Sequence, residues 1–165
     1  MRSPSFTLPV LILLLLAAFT SPSGAQRQQR RQGAAFNPVG TFSAQNSPES
    51  PTPRIDGDMI ENIDLRKTGT SYGGSLMVLR GDKTVIYKFT GATAEPGKFS
   101  FTTKPVRGVS YRFEGKFNRG GDFARDAVRR GDDRVENILK GTMTKLSGES
   151  KRGEAMLKFD FLLGG

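Results

Sequence analysis

Carboxylates, lysines, arginines and three tyrosines are the side chains with which this 165-residue sequence could do chemistry, because it contains neither histidine nor cysteine. The absence of those two residue types excludes His-dependent triads, thiol nucleophiles and the usual zinc and copper sites. Carboxylates remain capable of acid–base work. However, Glu114 and Asp160 fall on the outward faces of predicted strands, and we interpret both as solvated surface. We therefore expect no catalytic residue, no metal ligand and no cofactor.

An acidic stretch, IDGDMIENID, brings together Asp56, Asp58, Glu61 and Asp64. Carboxylates at short spacing are typical of calcium loops, but Ile60 occupies the position where the third ligand is needed. We interpret the stretch as a solvated turn beside a strand rather than as a calcium site.

Basic residues outnumber acidic ones, with 25 lysines and arginines against 16 aspartates and glutamates and a formal net charge of +9. A net-basic protein concentrates near anionic lipids, polysaccharides and other polyanions. The aromatic residues alternate toward the predicted core, so we expect no sequence-specific nucleic-acid binding. The candidates for polyanion contact are arginines of the N-terminal segment and of a predicted helix: Arg27, Arg30, Arg31, Arg125, Arg129 and Arg130.

The first 25 residues have the order of a secretory signal peptide. Arg2 precedes the apolar residues 8–19, and the small residues Ser23, Gly24 and Ala25 precede a polar segment. The apolar run is shorter than the roughly 20 residues that a membrane-spanning helix needs. We expect export, cleavage near Ala25, a secreted or periplasmic location, and no transmembrane span in the mature protein.

Residues 26–36, QRQQRRQGAAF, are polar and basic without periodicity, and we expect them to form a basic disordered arm. Residues 37–165 are the length of a single domain, and their pattern changes to period two. In VSYRFEGKF, for example, Tyr111 and Phe113 face one way while Arg112 faces the other, which is typical of a half-buried strand. This alternation predicts about eight strands, near residues 38–46, 60–67, 71–80, 84–91, 98–103, 109–118, 136–146 and 154–162.

Short connections rich in turn-forming residues join these segments, which favours antiparallel neighbours. Gly115 and Gly141 fall inside predicted strands, where glycine often marks a bend. The pattern therefore predicts an all-β fold, an eight-stranded antiparallel up-and-down barrel with one short helix. A β-sandwich is the alternative.

The predicted helix covers residues 122–130. Asp122 is placed to cap its first turn, and Gly131 is placed to end it in a left-handed conformation. Asp126 and Arg130 are four residues apart, so we expect them to pair on the helix surface.

The segment FNPVGTF opens the predicted domain with Gly40, Thr41 and Phe42. This motif resembles the Gly-x-Trp opening of lipocalins and related calycin barrels, with Phe42 in place of the tryptophan. The later segments YRFEGKF and LKGTMTKLSGESKRGEAMLKFDF are similar to the closing hairpins of bacterial lipocalin-like domains, so the resemblance spans about residues 38–162. It implies an eight-stranded barrel whose interior can hold one small apolar molecule and whose floor Phe42 closes.

Three classes of function fit these patterns. The first is a binding module for a small hydrophobic ligand or a protein partner, and the second is a basic protein that contacts anionic envelope lipid or polysaccharide. The third, a carboxylate- or tyrosine-based isomerase or cyclase, has no residue pair in its favour. For the first class the candidate lining consists of inward-facing side chains, which could equally fill the barrel: Tyr87, Phe89, Phe99, Phe101, Tyr111, Phe113, Leu157 and Phe159.

Overall fold

Residues 35–45, 51 and 54–163 are described in the computed structural model of this protein. The predicted signal peptide and residues 26–34 of the predicted arm lie outside the described residues. The described part contains nine strands and one helix, numbered here along the chain: β1, Gly40–Ala44; β2, Arg54–Ile55; β3, Asp58–Thr68; β4, Ser71–Arg80; β5, Lys83–Glu95; β6, Lys98–Thr103; β7, Val109–Phe117; α1, Phe123–Arg130; β8, Arg134–Ser147; and β9, Ser150–Leu162.

Eight of these strands form a closed antiparallel barrel. From β3 to β9 each strand pairs with the next one along the chain, and β1 closes the ring because it pairs with both β3 and β9. Phe42 of β1, for example, lies opposite Ile63 on one side and Phe161 on the other. The two-residue β2 pairs only with the start of β3. The barrel prediction is confirmed, and the sandwich alternative is wrong.

Alternation along the strands places the aromatic side chains inside the barrel. In β7, Tyr111 and Phe113 are fully buried while Arg112 and Glu114 are exposed. Each buried phenylalanine contributes about 1.5–3 kcal/mol relative to an exposed one. Because the sequence has no cysteine, this burial stabilises the fold without help from disulfides.

Gly115 and Gly141 lie directly opposite each other on β7 and β8. A Cβ atom at Gly141 would lie 2.5 Å from the backbone oxygen of Glu114 and 2.6 Å from Cζ of Phe113. The two strands and the Phe113 ring approach this closely because neither glycine carries a side chain.

Helix α1 begins and ends as its sequence predicts. The carboxylate of Asp122 accepts a hydrogen bond from the backbone N–H of Arg125 at 3.0 Å, and Gly131 ends the helix in the left-handed region with φ 69°. The predicted Asp126–Arg130 pair is wrong, because Asp126 instead lies 3.4 Å from Arg129. Residues three apart and residues four apart are both neighbours on a helix surface. Here the carboxylate of Asp126 pairs with the arginine that is three residues away.

The buried face of α1 covers one end of the barrel. Phe123 is fully buried, and its ring centroid lies 5.6–6.3 Å from those of Phe36, Phe42, Phe117 and Phe161. We call this end the helix end. In the described part of the chain, no helix has the length and apolar character required to cross a membrane.

Candidate functional site

A buried ionic cluster lies inside the barrel at the end opposite α1, which we call the polar end. Asp58 at the start of β3 is 3% exposed and accepts from Nε and Nη2 of Arg80, both at 3.2 Å. It also accepts from the hydroxyl of Tyr111 and from Nζ of Lys145, the latter at 2.8 Å. Nη2 of Arg80 further donates to the hydroxyl oxygen of Tyr87 at 2.7 Å. These five residues form the buried ionic cluster.

The cluster fixes the protonation states of its members. Burial by itself raises the pKa of Asp58, but hydrogen bonds from Arg80 and Lys145 outweigh it and hold this pKa below its usual value. Burial lowers the pKa of Lys145, yet its hydrogen bonds to Asp58 and Asp56 raise the pKa above its usual value. Burial and the hydrogen bond to Asp58 both raise the pKa of Tyr111. At neutral pH, Asp58 therefore stays ionised, Lys145 stays protonated and Tyr111 stays neutral. A general acid or base must instead gain and lose a proton near neutral pH.

Two carboxylates that we predicted to be solvated are buried, so both predictions are wrong. Asp58 belongs to the cluster above, and Asp160 on β9 is 1% exposed. Asp160 accepts from the backbone N–H of Asn137 at 2.7 Å and from Nε of Arg134 at 2.7 Å. The pairing of β8 with β9 shifts register here, and Asn137 has a positive φ of 52°. The carboxylate satisfies the N–H group that this irregularity frees. Glu114, in contrast, is exposed as predicted.

The eight side chains that we predicted to line a ligand cavity all lie inside the barrel and are at most 8% exposed. They pack against one another. The rings of Phe89 and Phe101 stack with centroids 4.1 Å apart, and those of Tyr87 and Tyr111 meet edge to face at 5.0 Å. The ring centroid of Phe113 lies 5.8 Å from that of Phe159 and within 6 Å of several others in the set. Tyr87 and Tyr111 also belong to the buried ionic cluster.

The predicted polyanion-contact arginines fall into two groups. Arg125, Arg129 and Arg130 are exposed on α1, and Arg130 lines a groove with Arg119 and Arg134. The predicted contacts Arg27, Arg30 and Arg31 lie outside the described residues. The helix arginines therefore share the helix end of the barrel.

A row of three lysines on the outer wall was not predicted from the sequence. Lys116 on β7 lies directly opposite Lys140 on β8, and Lys140 lies directly opposite Lys158 on β9. All three are exposed. Neighbouring strands are about 4.8 Å apart, so the row presents one positive charge per strand. Among the described residues, no ion pair involves any of the three. We call Lys116, Lys140 and Lys158 the lysine row.

A groove of about 800 Å³ adjoins the lysine row on the same wall. The lining residues nearest to the lysine row are Glu114 on β7 and Thr142, which lies opposite it on β8. Arg112 and the opposite Thr144 come next along the same two strands. Glu154 on β9 lies opposite Thr144 and pairs with Lys151. The groove thus combines hydroxyl groups with charges of both signs. The full lining is Arg112, Glu114, Thr142, Thr144, Leu146, Gly148, Glu149, Lys151 and Glu154.

Sequence alternation does place each lysine of the row on an outward face, and that signal was available. The alignment of the three lysines could not be predicted, because it depends on the register of three strands. A connection that contains the helix joins the first two strands, and a hairpin with shifted pairing joins the last two.

Comparisons of this chain with protein-family models, with curated proteins and with solved structures gave no match.

Proposed function

We propose that this protein is a non-enzymatic binding protein that holds anionic material on the outer wall of its barrel, at the lysine row. Like charges directly opposite each other on neighbouring strands are destabilising, so the row has a cost that a bound anion relieves. Lysines often protect the edge strands of open sheets from aggregation. That explanation does not fit here, because β7, β8 and β9 each have a neighbour on both sides.

The lysine row lies near the helix end of the barrel. Lys116 lies one residue before the end of β7, and the chain leaves that end toward α1, with its exposed Arg125, Arg129 and Arg130. Asp132, Asp133 and Glu136 are exposed at the same end and offset the charge of these arginines, so the proposal rests on the lysine row itself. Inside the barrel, the aromatic side chains pack against one another. This packing favours the outer wall over the interior as the binding surface.

We further propose that the barrel is related to the lipocalin-like class. The support is the sequence-ordered ring of eight antiparallel strands, together with the opening motif of Gly40, Thr41 and Phe42. Phe42 is fully buried, and its ring contacts those of Phe117 and Phe161 with centroids 5.8 and 5.6 Å away. A residue in this position closes the helix end of the barrel.

Export is part of the proposal, with the mature chain beginning after Ala25 in a secreted or periplasmic location. The support is the order of charge, apolar run and small residues in the first 25 positions. N-terminal sequencing of the protein purified from its native source without prior fractionation tests it. A first residue of Gln26 supports export, and a first residue of Met1 contradicts it.

The binding proposal is tested by replacing the whole row. The triple variant K116Q/K140Q/K158Q is compared with K83Q/K88Q/K104Q, which removes the same charge from three exposed lysines elsewhere. Binding is measured to two anionic matrices, polygalacturonate beads and phosphatidylglycerol vesicles. We expect the row variant to lose on the order of tenfold in affinity for whichever matrix the wild type binds, because three ionic contacts disappear. The control is expected to lose much less.

The salt dependence gives a second readout. Loss of three contacts releases fewer counterions on binding, so the slope of log affinity against log salt should become shallower by about two for the row variant. Equal losses in both triple variants would show attraction by net charge alone, and failure of the wild type to bind either matrix would end the proposal.

A further inference from the structure

We infer that the anionic ligand is a linear polysaccharide bearing acidic groups, which crosses β7, β8 and β9 with its acidic groups on the lysine row and its hydroxyls in the adjoining groove. This inference rests on the proposed function and names the ligand class. It depends on the curvature of the wall, on the chemistry of the groove and on the side chains that the wall does not present.

The curvature favours a chain over a flat surface. In a closed ring of eight strands, the outward direction turns by about 45° from one strand to the next. Lys116 and Lys158 are two strands apart, so their side chains point away from the barrel about 90° apart. A planar lipid surface meets one strand squarely and the others obliquely. A flexible linear polymer can follow the wall and meet each lysine in turn.

The chemistry of the groove favours a ligand that donates hydrogen bonds as well as accepting them. Glu114 is exposed and lies between Ser100 on β6 and Thr142 on β8. Within the described part of the chain, its carboxylate has no hydrogen bond or ion pair. A carboxylate at neutral pH only accepts hydrogen bonds. Polyphosphate has no donor to offer it, whereas a polysaccharide supplies hydroxyl donors beside its acidic groups.

Among the described residues, no aromatic side chain occupies an outward position beside the lysine row on β7, β8 or β9, which separates this ligand from a nucleic acid. Single-stranded nucleic acids are held by stacking of bases on aromatic side chains as well as by charge. The outward residues of β7 that flank the row are Arg112 and Glu114, and those of β8 are Thr142 and Thr144. None of these can stack a base in the way an aromatic ring does.

The test uses Glu114→Ala, because charge and hydrogen bonding then predict opposite signs. Removing a negative charge beside the lysine row strengthens any purely electrostatic binding. Removing an acceptor for sugar hydroxyls weakens binding of a polysaccharide. We expect Glu114→Ala to lower the affinity for polygalacturonate about threefold to tenfold and to raise the affinity for polyphosphate, both measured by titration calorimetry on the mature protein.

The matched control is Glu61→Ala, which also removes one carboxylate. Glu61 is on β3, four strands from β7 in the eight-strand ring, so its loss should change neither affinity by more than about twofold. Circular dichroism of both variants checks that the barrel is intact.

Three results would overturn the inference. Glu114→Ala could raise affinity for both polymers, which would mean that charge alone attracts them. Polyphosphate could bind more tightly than polygalacturonate to the wild type, or phosphatidylglycerol vesicles could bind while polygalacturonate does not. In each case the loss of binding in K116Q/K140Q/K158Q would still support the proposed function. If that triple variant binds as the wild type does, the proposed function itself fails.

Discussion

Lys145 and Asp58 form an ion pair across the interior of the barrel, with Nζ 2.8 Å from Oδ2. Lys145 is near the end of β8 and Asp58 is at the start of β3, and these two strands are not neighbours in the ring. Both side chains are more than nine-tenths buried. The pair therefore connects two strands on different sides of the barrel at its polar end. Because both side chains are buried, water screens their attraction little.

Removal of Asp58 should destabilise the protein strongly. Asp58→Ala leaves Lys145 buried without its nearest carboxylate and also removes the partner of Arg80, so we expect a loss of about 3–5 kcal/mol in the free energy of unfolding. Urea denaturation measures it. The control is Asp64→Ala, also on β3, whose pair with the largely exposed Arg66 should be worth about 0–1 kcal/mol. Equal losses in the two variants would contradict the importance of the buried cluster.

The same carboxylate should make stability depend on acid pH. The pKa of Asp58 is lower in the folded protein than its ordinary value, so the unfolded chain takes up a proton at a higher pH than the folded one. This contribution is complete above the unfolded pKa and is lost as the pH falls through the folded pKa. Between about pH 5 and pH 2 the wild type should therefore lose more stability than Asp58→Asn. Parallel curves of unfolding free energy against pH for the two proteins would disprove this.

Relief of charge repulsion in the lysine row should stabilise the barrel while it impairs binding. Lys140→Glu turns two repulsive cross-strand pairs into attractive ones, and we expect the free energy of unfolding to rise by about 0.5–1 kcal/mol at low salt. The gain should shrink at high salt because these charges are exposed. Lys140→Gln, which removes the repulsion only, should gain about half as much. A stability unchanged at low salt in both variants would show that the row carries no strain.

Gly141 should not tolerate a side chain. A Cβ atom there meets backbone atoms of β7 at 2.5 Å, and backbone cannot move aside as a flexible side chain can. Gly141→Ala is expected to cost about 3 kcal/mol in unfolding free energy. Gly91→Ala, where a Cβ meets nothing within 4 Å, should leave stability unchanged or raise it by up to about 1 kcal/mol. Similar thermal midpoints for both variants would rule out the close approach.

The strand pattern was readable from the sequence because alternation and turn residues are local signals. The predicted strands at 71–80 and 98–103 coincide with β4 and β6. The starts of β8 and β9 are earlier than predicted, at Arg134 and Ser150. SKRG, at the start of β9, lacks apolar alternation, and its extended conformation comes from its pairing with the end of β8.

The buried ionic cluster was not readable, because its members look like surface residues when each is seen with its sequence neighbours. Asp58 stands in an acidic stretch that resembles a solvated turn. Its partners Arg80 and Tyr111 are 22 and 53 residues further along the chain. Only closure of the barrel brings them together.

The sequence by itself excluded chemistry that requires histidine or cysteine. It also determined the all-β class, the predicted helix with its caps, and the excess of positive charge. Each of these follows from residue type or from local spacing. The tertiary structure decided where the charges act. The alignment of Lys116, Lys140 and Lys158 and the burial of Asp58 against Lys145 depend on strand register and ring closure, because these bring together side chains that no local pattern relates.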